Sequence, residues 1–332
     1  MRENELLTIV VAAYNEEAAL LLLHARLRKV LDGLDAPTRV LYVDDGSRDR
    51  SWDVMRQIAR DDPQVALLRL SRNFGKEAAL TAGIDRVTEG AALMLDGDGQ
   101  DPPELIPELI ALWRDGYDDV YGTRLEREGE SWLKRASAHA FYRVIGKLSK
   151  TPIPRDTGDF RLLSRRALDG LAQLHERGRF MKGLFAWVGY RQASVPYHRE
   201  PRMAGRSKFG YWKLWNFALD GITSFSTAPL RVASYFGLLT AVVAFGFGGW
   251  TVLRTLLWGD VVRGYPTLIT VILFLGGVQL IALGVIGEYL GRLYQEVKQR
   301  PLYLLDAWLP AAADSDPGSN AARAEKSPTT AL

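Results

Sequence analysis

The chain has 332 residues, 47% of them hydrophobic and 24% charged, with no cysteine and a formal charge of +3 from 42 Lys and Arg against 39 Asp and Glu. The missing cysteines exclude disulfide frameworks, thiolate nucleophiles, iron–sulfur clusters and Cys-ligated zinc, and the four histidines, His24, His139, His175 and His198, have no metal-type spacing. The near-neutral total conceals a partition: the charge is −8 over residues 1–125, +10 over 126–230 and +1 over 231–332.

Leu6–Tyr14 is apolar, but Glu3 and Glu5 flank it and Asn15-Glu16-Glu17 ends it, so it reads as a buried parallel strand and not as a cleavable signal peptide. Helix-type and strand-type runs then alternate: 17–32, TRVLYVDD, 48–62, VALLRLS, 75–87, AALMLDGD, 103–114 and DVYGTR. Strand and helix alternating at these lengths predict a doubly wound, mostly parallel α/β sheet of the Rossmann-like kind over residues 1–125. No internal repeat is present.

Residues 126–230 read as a second part with two amphipathic stretches. Over 131–149, Trp132, Leu133, Ala136, Ala140, Phe141, Val144, Ile145 and Leu148 form one stripe, with Lys134, Arg135, Arg143 and Lys147 elsewhere. That pattern suits a basic helix lying on an anionic bilayer or, equally, one packed on the sheet. Over 211–226, Tyr211, Trp212, Trp215, Phe217, Ile222 and Phe225 predict an interfacial helix with tryptophans at headgroup level.

Within 231–290, Val232–Leu253 and Gly264–Gly287 are uncharged, and each is long enough to cross a hydrocarbon core of about 30 Å. They predict a transmembrane hairpin. Lys208, Lys213 and Arg231 before it, and Arg292, Lys298 and Arg300 after it, outnumber Arg254 and Arg263 near its turn, which places both termini in the cytoplasm. Residues 291–310 follow as a cytoplasmic segment. From residue 311 the composition turns to Ala, Ser, Pro, Asp and Gly, which predicts a disordered tail to 332.

Ligands of open parallel sheets bind at the carboxyl ends of strands, and polar clusters follow the apolar runs there: Tyr14-Asn15-Glu16, Asp44-Asp45-Gly46-Ser47 and Asp96-Gly97-Asp98-Gly99-Gln100-Asp101. A single such cluster would be read as a helix cap; several together point to a ligand. Asp96 and Asp98 alternate onto one face, and two clustered carboxylates need a cation between them. Oxygen donors of this kind suit Mg²⁺ or Mn²⁺ on a diphosphate, not zinc.

The segments VVAAYNEE, YVDDGSRDRS, RNFGKEAALTAG, LDGDGQDPPE, IPRDTGDFRLLSRR and FMKGLFAWVGY, with the loop Arg202–Phe209, together resemble membrane-bound family-two glycosyltransferases that load a sugar onto a polyprenyl phosphate. These include the bactoprenol glucosyltransferases and the dolichol-phosphate mannose synthases. The resemblance runs over about residues 6–300 and departs from the family at Ala12, often proline, and at Phe209, usually tyrosine or leucine. It implies a GT-A fold with interfacial helices and a C-terminal membrane hairpin. On matching positions, Tyr14, Asn15, Glu16, Asp44, Asp45, Lys76 and Asp96 would bind the nucleotide-sugar, and Asp96, Asp98 and Gln100 would hold the metal. Arg202, Arg206, Ser207 and Lys208 would close on the donor and acceptor phosphates, which gives the +10 segment a purpose. Asp159 matches the position usually proposed as catalytic base, and Asp98 is grouped with it as catalytic.

A phosphate monoester with a second pKa near 6 is already largely dianionic, so Asp159 has little proton to remove; orienting the acceptor or balancing Arg161 are the other roles open to it. Asp156 reads as a turn cap. The expected activity is inverting transfer to a polyprenyl phosphate such as undecaprenyl phosphate at the cytoplasmic membrane face, with UDP-glucose the first expectation for donor. GDP-mannose, UDP-GlcNAc, UDP-galactose and an aminoarabinose donor stay open. No nucleic-acid partner is expected. A homo-oligomer, often a tetramer in relatives, is implied, and Gly246, Gly248, Gly249, Gly276 and Gly277 would permit close helix packing. The rival readings are a processive polysaccharide synthase, which usually carries a Q-x-x-R-W motif and further spans, and a non-catalytic membrane scaffold or lipid carrier on the same fold.

Overall fold

The computed structural model describes residues 2, 4–125, 157–200, 228–258 and 264–314. Its contacts divide into two units, one of residues up to 200 together with 301–314, the other of residues 228–300.

The first unit is built on an eight-stranded sheet. Five strands fall where the sequence predicts them: β1 Leu7–Ala13, β2 Thr38–Asp44, β3 Val65–Leu70, β4 Ala91–Asp96 and β5 Asp119–Arg124. Three more join them: β6 Thr157–Leu163, β7 Gln192–Tyr197 and β8 Leu305–Leu309. The order is β7-β5-β6-β4-β1-β2-β3-β8. The β4-β1-β2-β3 block is parallel, and β6 runs antiparallel to both β4 and β5. Six of the seven β1 residues are buried, as a parallel strand covered on both faces demands.

The helices that cover it are α1 Leu20–Leu31, α2 Ser51–Asp61, α3 Lys76–Ile84 and α4 Ile106–Arg114. Leu20, Leu23, Leu27 and Leu31 of α1 are buried at helical spacing, the stripe expected of a one-faced helix. α3 is different, with Ala79 through Ile84 all buried. It sits so close to the sheet that a Cβ on Gly83 would lie 2.3 Å from Val10 Cγ1. Two short helices, α5 Arg165–Ala172 and α6 Met181–Val188, complete the unit.

β8 lies in the segment 291–310, for which the sequence predicts no strand. Leu305–Leu309 pairs antiparallel with β3, Trp308 opposite Leu68 and Ala307 opposite Arg69. The expected disordered tail starts at 311, yet Ala311 is buried and Ala313 N–H donates to Pro63 O at 3.0 Å. Ala and Pro read as tail composition, but Ala311 and Ala313 are held next to the turn that leads into β3.

The second unit is two long helices packed on each other, α7 Ala228–Trp258 and α8 Tyr265–Val297. Val232–Trp250 and Phe274–Val297 have mean hydropathies of 1.6 and 1.5 and none of their described surface buried. Long, predominantly apolar helices left uncovered by the described residues suit membrane spans, in keeping with the expected hairpin. α8 runs ten residues beyond its expected end at 287, where Glu288 and Arg292 pair at 2.8 Å. A Cβ on any of Gly246, Gly248, Gly249, Gly276 or Gly277 would meet nothing within 4 Å among the described residues.

The basic stretch 131–149, the aromatic stretch 211–226, Asp156, the loop residues Arg202, Arg206, Ser207 and Lys208, and the tail beyond 314 lie outside the described residues.

Candidate active site

The carboxyl ends of β1, β2, β3 and β4 lie side by side and carry the predicted polar clusters. Asn15, after β1, has φ of 54°, which asparagine tolerates better than most residues. Its N–H donates to Ser47 Oγ at 2.9 Å and its Oδ1 accepts from Arg48 N at 2.8 Å, while Glu16 N–H donates to Ser51 Oγ at 2.8 Å. Asn15 thus stitches the loop after β1 to the loop after β2. Tyr14 and Glu16 are half-buried at the same edge.

Asp44 is fully buried. Its Oδ1 accepts from Ser47 N at 3.0 Å and its Oδ2 lies 3.2 Å from Arg69 Nε. Burial pushes its carboxyl up, and the bonds from Ser47 and then the Arg69 charge offset part of that. Asp45 is spent differently: it accepts from Phe74 N at 2.7 Å, Gly75 N at 3.0 Å and Asn73 Nδ2 at 2.9 Å. Its carboxylate holds the loop after β3, and burial still raises its pKa to about 6. Gly46 permits this crossing of loops, since a Cβ there would lie 2.3 Å from Arg72 carbonyl carbon.

At the end of β4, Asp96 meets the residue that the sequence assigned to the donor, Lys76. Nζ lies 2.6 Å from Asp96 Oδ1 and 2.5 Å from Asp159 Oδ2. The β4–β6 register, Met94 opposite Arg161, explains the meeting: continued by two residues, it sets Asp96 opposite Asp159. Asp159 is half-buried, and its Oδ1 is shielded from solvent without a hydrogen-bond partner among the described residues. Burial alone would raise its pKa, but Lys76 and then Lys182 outweigh that and hold it well below the usual carboxylate range. Lys76 is held above its ordinary value, the Asp159 and Asp96 charges outweighing desolvation. Arg161 adds a smaller charge contribution that also lowers Asp159, but its own ion pair is elsewhere. It is buried under Phe185, 4.0 Å from the ring, and its Nη1 pairs with Asp119 at 2.8 Å.

Asp98 is buried, 3.9 Å from Arg199 Nη2, and its Oδ1 accepts from Gln100 N at 3.2 Å. Gln100 Nε2 donates to Glu200 O at 3.1 Å, which leaves its Oε1 for another role. Among the described residues no group of three or more His, Cys, Asp or Glu is arranged to hold a metal. Asp98, Asp96 and Gln100 offer oxygens only. Such a set fits a hard divalent ion that takes one or two carboxylates and completes its shell from phosphate and water, as Mg²⁺ does.

Sequence reasoning missed Glu77 and Lys182. Glu77 accepts from Met181 N, its Oε2 is buried without a partner, and burial followed by the nearby Asp159 charge raises its pKa to about 8. Burial lowers Lys182. The signal for Glu77 was available, since it follows Lys76 at the start of a helix that is buried from Ala79 to Ile84; that for Lys182 was not, because α6 joins the site only through the fold.

Comparison with known proteins gives two family matches: Glycosyl transferase family 2 over residues 8–171 and the GtrB C-terminal hairpin over residues 228–293. The chain is 52% identical to an uncharacterised glycosyltransferase of Synechocystis sp., across 91% of this chain and 95% of that one. It is 46% identical to the SfII prophage-derived bactoprenol glucosyl transferase of Shigella flexneri, across 90% and 97%. Among solved structures it is similar to mannosyl-3-phosphoglycerate synthase from Rubrobacter xylanophilus, at 15% identity over 65% of this chain and 71% of that one, with a TM-score of 0.46.

Proposed function

For a chain that belongs to glycosyltransferase family 2 and carries its catalytic GT-A domain beside a membrane hairpin, we propose inverting transfer of a sugar from a nucleotide-sugar, UDP-glucose first, to a polyprenyl phosphate at the cytoplasmic membrane face. Relatives named bactoprenol glucosyl transferase at 46% identity over most of the chain support the acceptor class and the first choice of sugar. The observation that carries the reading is the meeting of Asp96 with Asp159 on Lys76, which brings the donor end of β4 to the residue expected at the acceptor.

A phosphate oxygen of the acceptor attacks C1 of the sugar as the bond from C1 to the diphosphate oxygen breaks. The products are the lipid-phosphate sugar, inverted at C1, and a nucleoside diphosphate. A divalent ion bound by Asp98, Asp96 and Gln100 would neutralise the charge gathering on the leaving diphosphate. Lys76 contributes fixed positive charge at the same place. Asp44, buried beside Arg69, offers an acceptor at the floor of the nucleotide pocket. Asp159, held below the usual carboxylate range by Lys76 against its burial, faces a phosphate that has little proton left to give, and as an anion it orients that phosphate through Lys76, the cation it pairs with. The basic loop Arg202–Lys208 would meet the acceptor phosphate, and the hairpin would confine the enzyme to the bilayer that carries this acceptor, a gain in proximity for both.

The test is full-length protein in nanodiscs with undecaprenyl phosphate and a panel of nucleotide-sugars, read by mass spectrometry of the lipid and by release of nucleoside diphosphate, with and without chelator. A hexosyl-phosphate lipid formed from UDP-glucose and lost on chelation is expected. No lipid product from any donor would sink the proposal.

A further inference from the structure

One arginine far from the reacting atoms holds both ends of the segment expected to carry the metal. Arg26, in α1, donates from Nε and Nη2 to the two carboxylate oxygens of Glu104, each at 2.6 Å. It also donates from Nη1 and Nη2 to the two oxygens of Glu200, each at 2.6 Å. Two carboxylates that would repel each other converge on one guanidinium, the fork geometry in which arginine outperforms lysine.

Neither glutamate is an isolated surface charge. Glu104 stands three residues beyond Asp101. Glu200 N–H donates to Gln100 O at 3.0 Å, and Gln100 Nε2 donates back to Glu200 O at 3.1 Å. Just before Glu200, Tyr197 OH donates to Asp101 Oδ1 at 2.6 Å, and Arg199 Nη2 lies 3.9 Å from Asp98 Oδ2. The stretch 197–200 therefore grips Asp98, Gln100 and Asp101, and Arg26 ties that stretch to the residue at which the metal segment enters α4. An exposed ion pair contributes little to folding, about 1 kcal/mol or less, and the side chains of Glu104 and Glu200 are 53% and 39% exposed. What the fork supplies is position, in a segment whose Gly97 and Gly99 would otherwise leave it slack.

We propose that Arg26 is a positioning residue for the donor site: by drawing Glu104 and Glu200 onto one guanidinium it fixes residues 98–101 in the geometry that receives a metal–diphosphate. The inference rests on the reading of Asp96, Asp98 and Gln100 as the metal and diphosphate ligands.

Hydrogen–deuterium exchange of full-length protein in nanodiscs, without ligand, compares wild type with Arg26→Met, Arg26→Lys and the exchanged pair Arg26→Glu with Glu200→Arg, which keeps one cation between two carboxylates. Calorimetry with Mn²⁺ and UDP follows on each. Loss of the fork should speed exchange over 97–104 by about fivefold and weaken Mn²⁺-dependent UDP binding by about the same factor, the size of a coupling near 1 kcal/mol. Exchange in β1 should not change. Arg26→Lys should be intermediate, and the exchanged pair should return toward wild type. Exchange over 97–104 unchanged in Arg26→Met, or faster equally throughout α1 and β1, overturns the proposal, as does UDP binding that ignores the fork. Failure of the transfer reading would show in the wild type, as absence of lipid product; failure of this inference shows as variants that match the wild type.

Discussion

Asp96 and Asp159 stand across neighbouring strands and share a single ammonium, Lys76 Nζ, at 2.6 and 2.5 Å. Without it two half-buried carboxylates would face each other across the β4–β6 pair with no cation between them. Lys76→Met should cut transfer by about a hundredfold, since it removes charge from the place where the diphosphate leaves. It should also move the acid limb of the pH–rate profile upward. Lys76 is the largest influence holding Asp159 low against desolvation; once it is gone, Asp159 takes up its proton at higher pH. Turnover measured between pH 4.5 and 8 checks both effects. An acid limb left where the wild type has it would show that Lys76 does not keep Asp159 ionised.

Asp159→Asn separates orientation from donor binding. The variant keeps the shape of the side chain and removes its charge, and Asp44, Asp98 and Gln100 are untouched. Mn²⁺-dependent UDP binding by calorimetry should stay within about twofold, while turnover falls by about tenfold or more, the scale of a lost positioning contact. Because an ionised Asp159 is already too weakly basic to take a proton from the phosphate, its solvent isotope effect should match that of the wild type. A large isotope effect in the wild type, lost in Asp159→Asn, would restore the role of base.

Glu77 adds an opposite pH dependence. Its carboxyl, raised to about 8 by burial and by Asp159, keeps its proton in the folded chain over a range where the unfolded chain, near 4.5, has lost it. The folded state then binds more protons than the unfolded one, so stability falls as pH rises from about 4.5 to about 8, by at most about 1.4 kcal/mol per unit. Lys76 and Lys182 moderate this by favouring the ionised form. Glu77→Gln removes the dependence, and its thermal midpoint in detergent should exceed that of the wild type increasingly from pH 5 to pH 8. A difference that is constant across that range contradicts the assignment.

The five predicted strands and four predicted helices were legible because their apolar periods and turn residues are local, and the residues that close the site from the far side were not. Asp159 could be named only through its motif; its pairing with Asp96 depends on β6 inserting antiparallel next to β4, which no spacing within residues 157–163 announces. Asp45 looked like a ligand because it follows a strand, yet its oxygens are filled by Asn73, Phe74 and Gly75 from a loop some thirty residues away. LDAWL alternates too weakly to be seen as a strand, and it is held by the edge of β3 that it meets after the membrane hairpin.

That last strand bears on the proposed nucleotide pocket. Arg69, in β3, lies with Nε 3.2 Å from Asp44 Oδ2 and Nη1 3.5 Å from Asp306 Oδ2 in β8, and its guanidinium stacks 5.4 Å from the Trp52 ring centroid. The C-terminal strand thus reaches Asp44 through one arginine. Arg69→Met leaves a fully buried carboxylate facing no cation, which costs up to about 3 kcal/mol where burial is complete and less here because Arg69 is itself 32% exposed. Burial already pushes Asp44 up, and the loss of Arg69 pushes it further, so UDP affinity should fall by about tenfold and should rise with pH more steeply than in the wild type. Asp306→Asn, at a side chain 52% exposed, should change affinity by no more than about twofold. Truncation before Leu305 should do more than Asp306→Asn, because it also strips the β3 edge and removes the Trp308 ring that stacks 5.1 Å from the Arg86 guanidinium. Calorimetry across the three variants orders the effects, and a truncated chain that binds UDP as tightly as the wild type would detach β8 from the donor site.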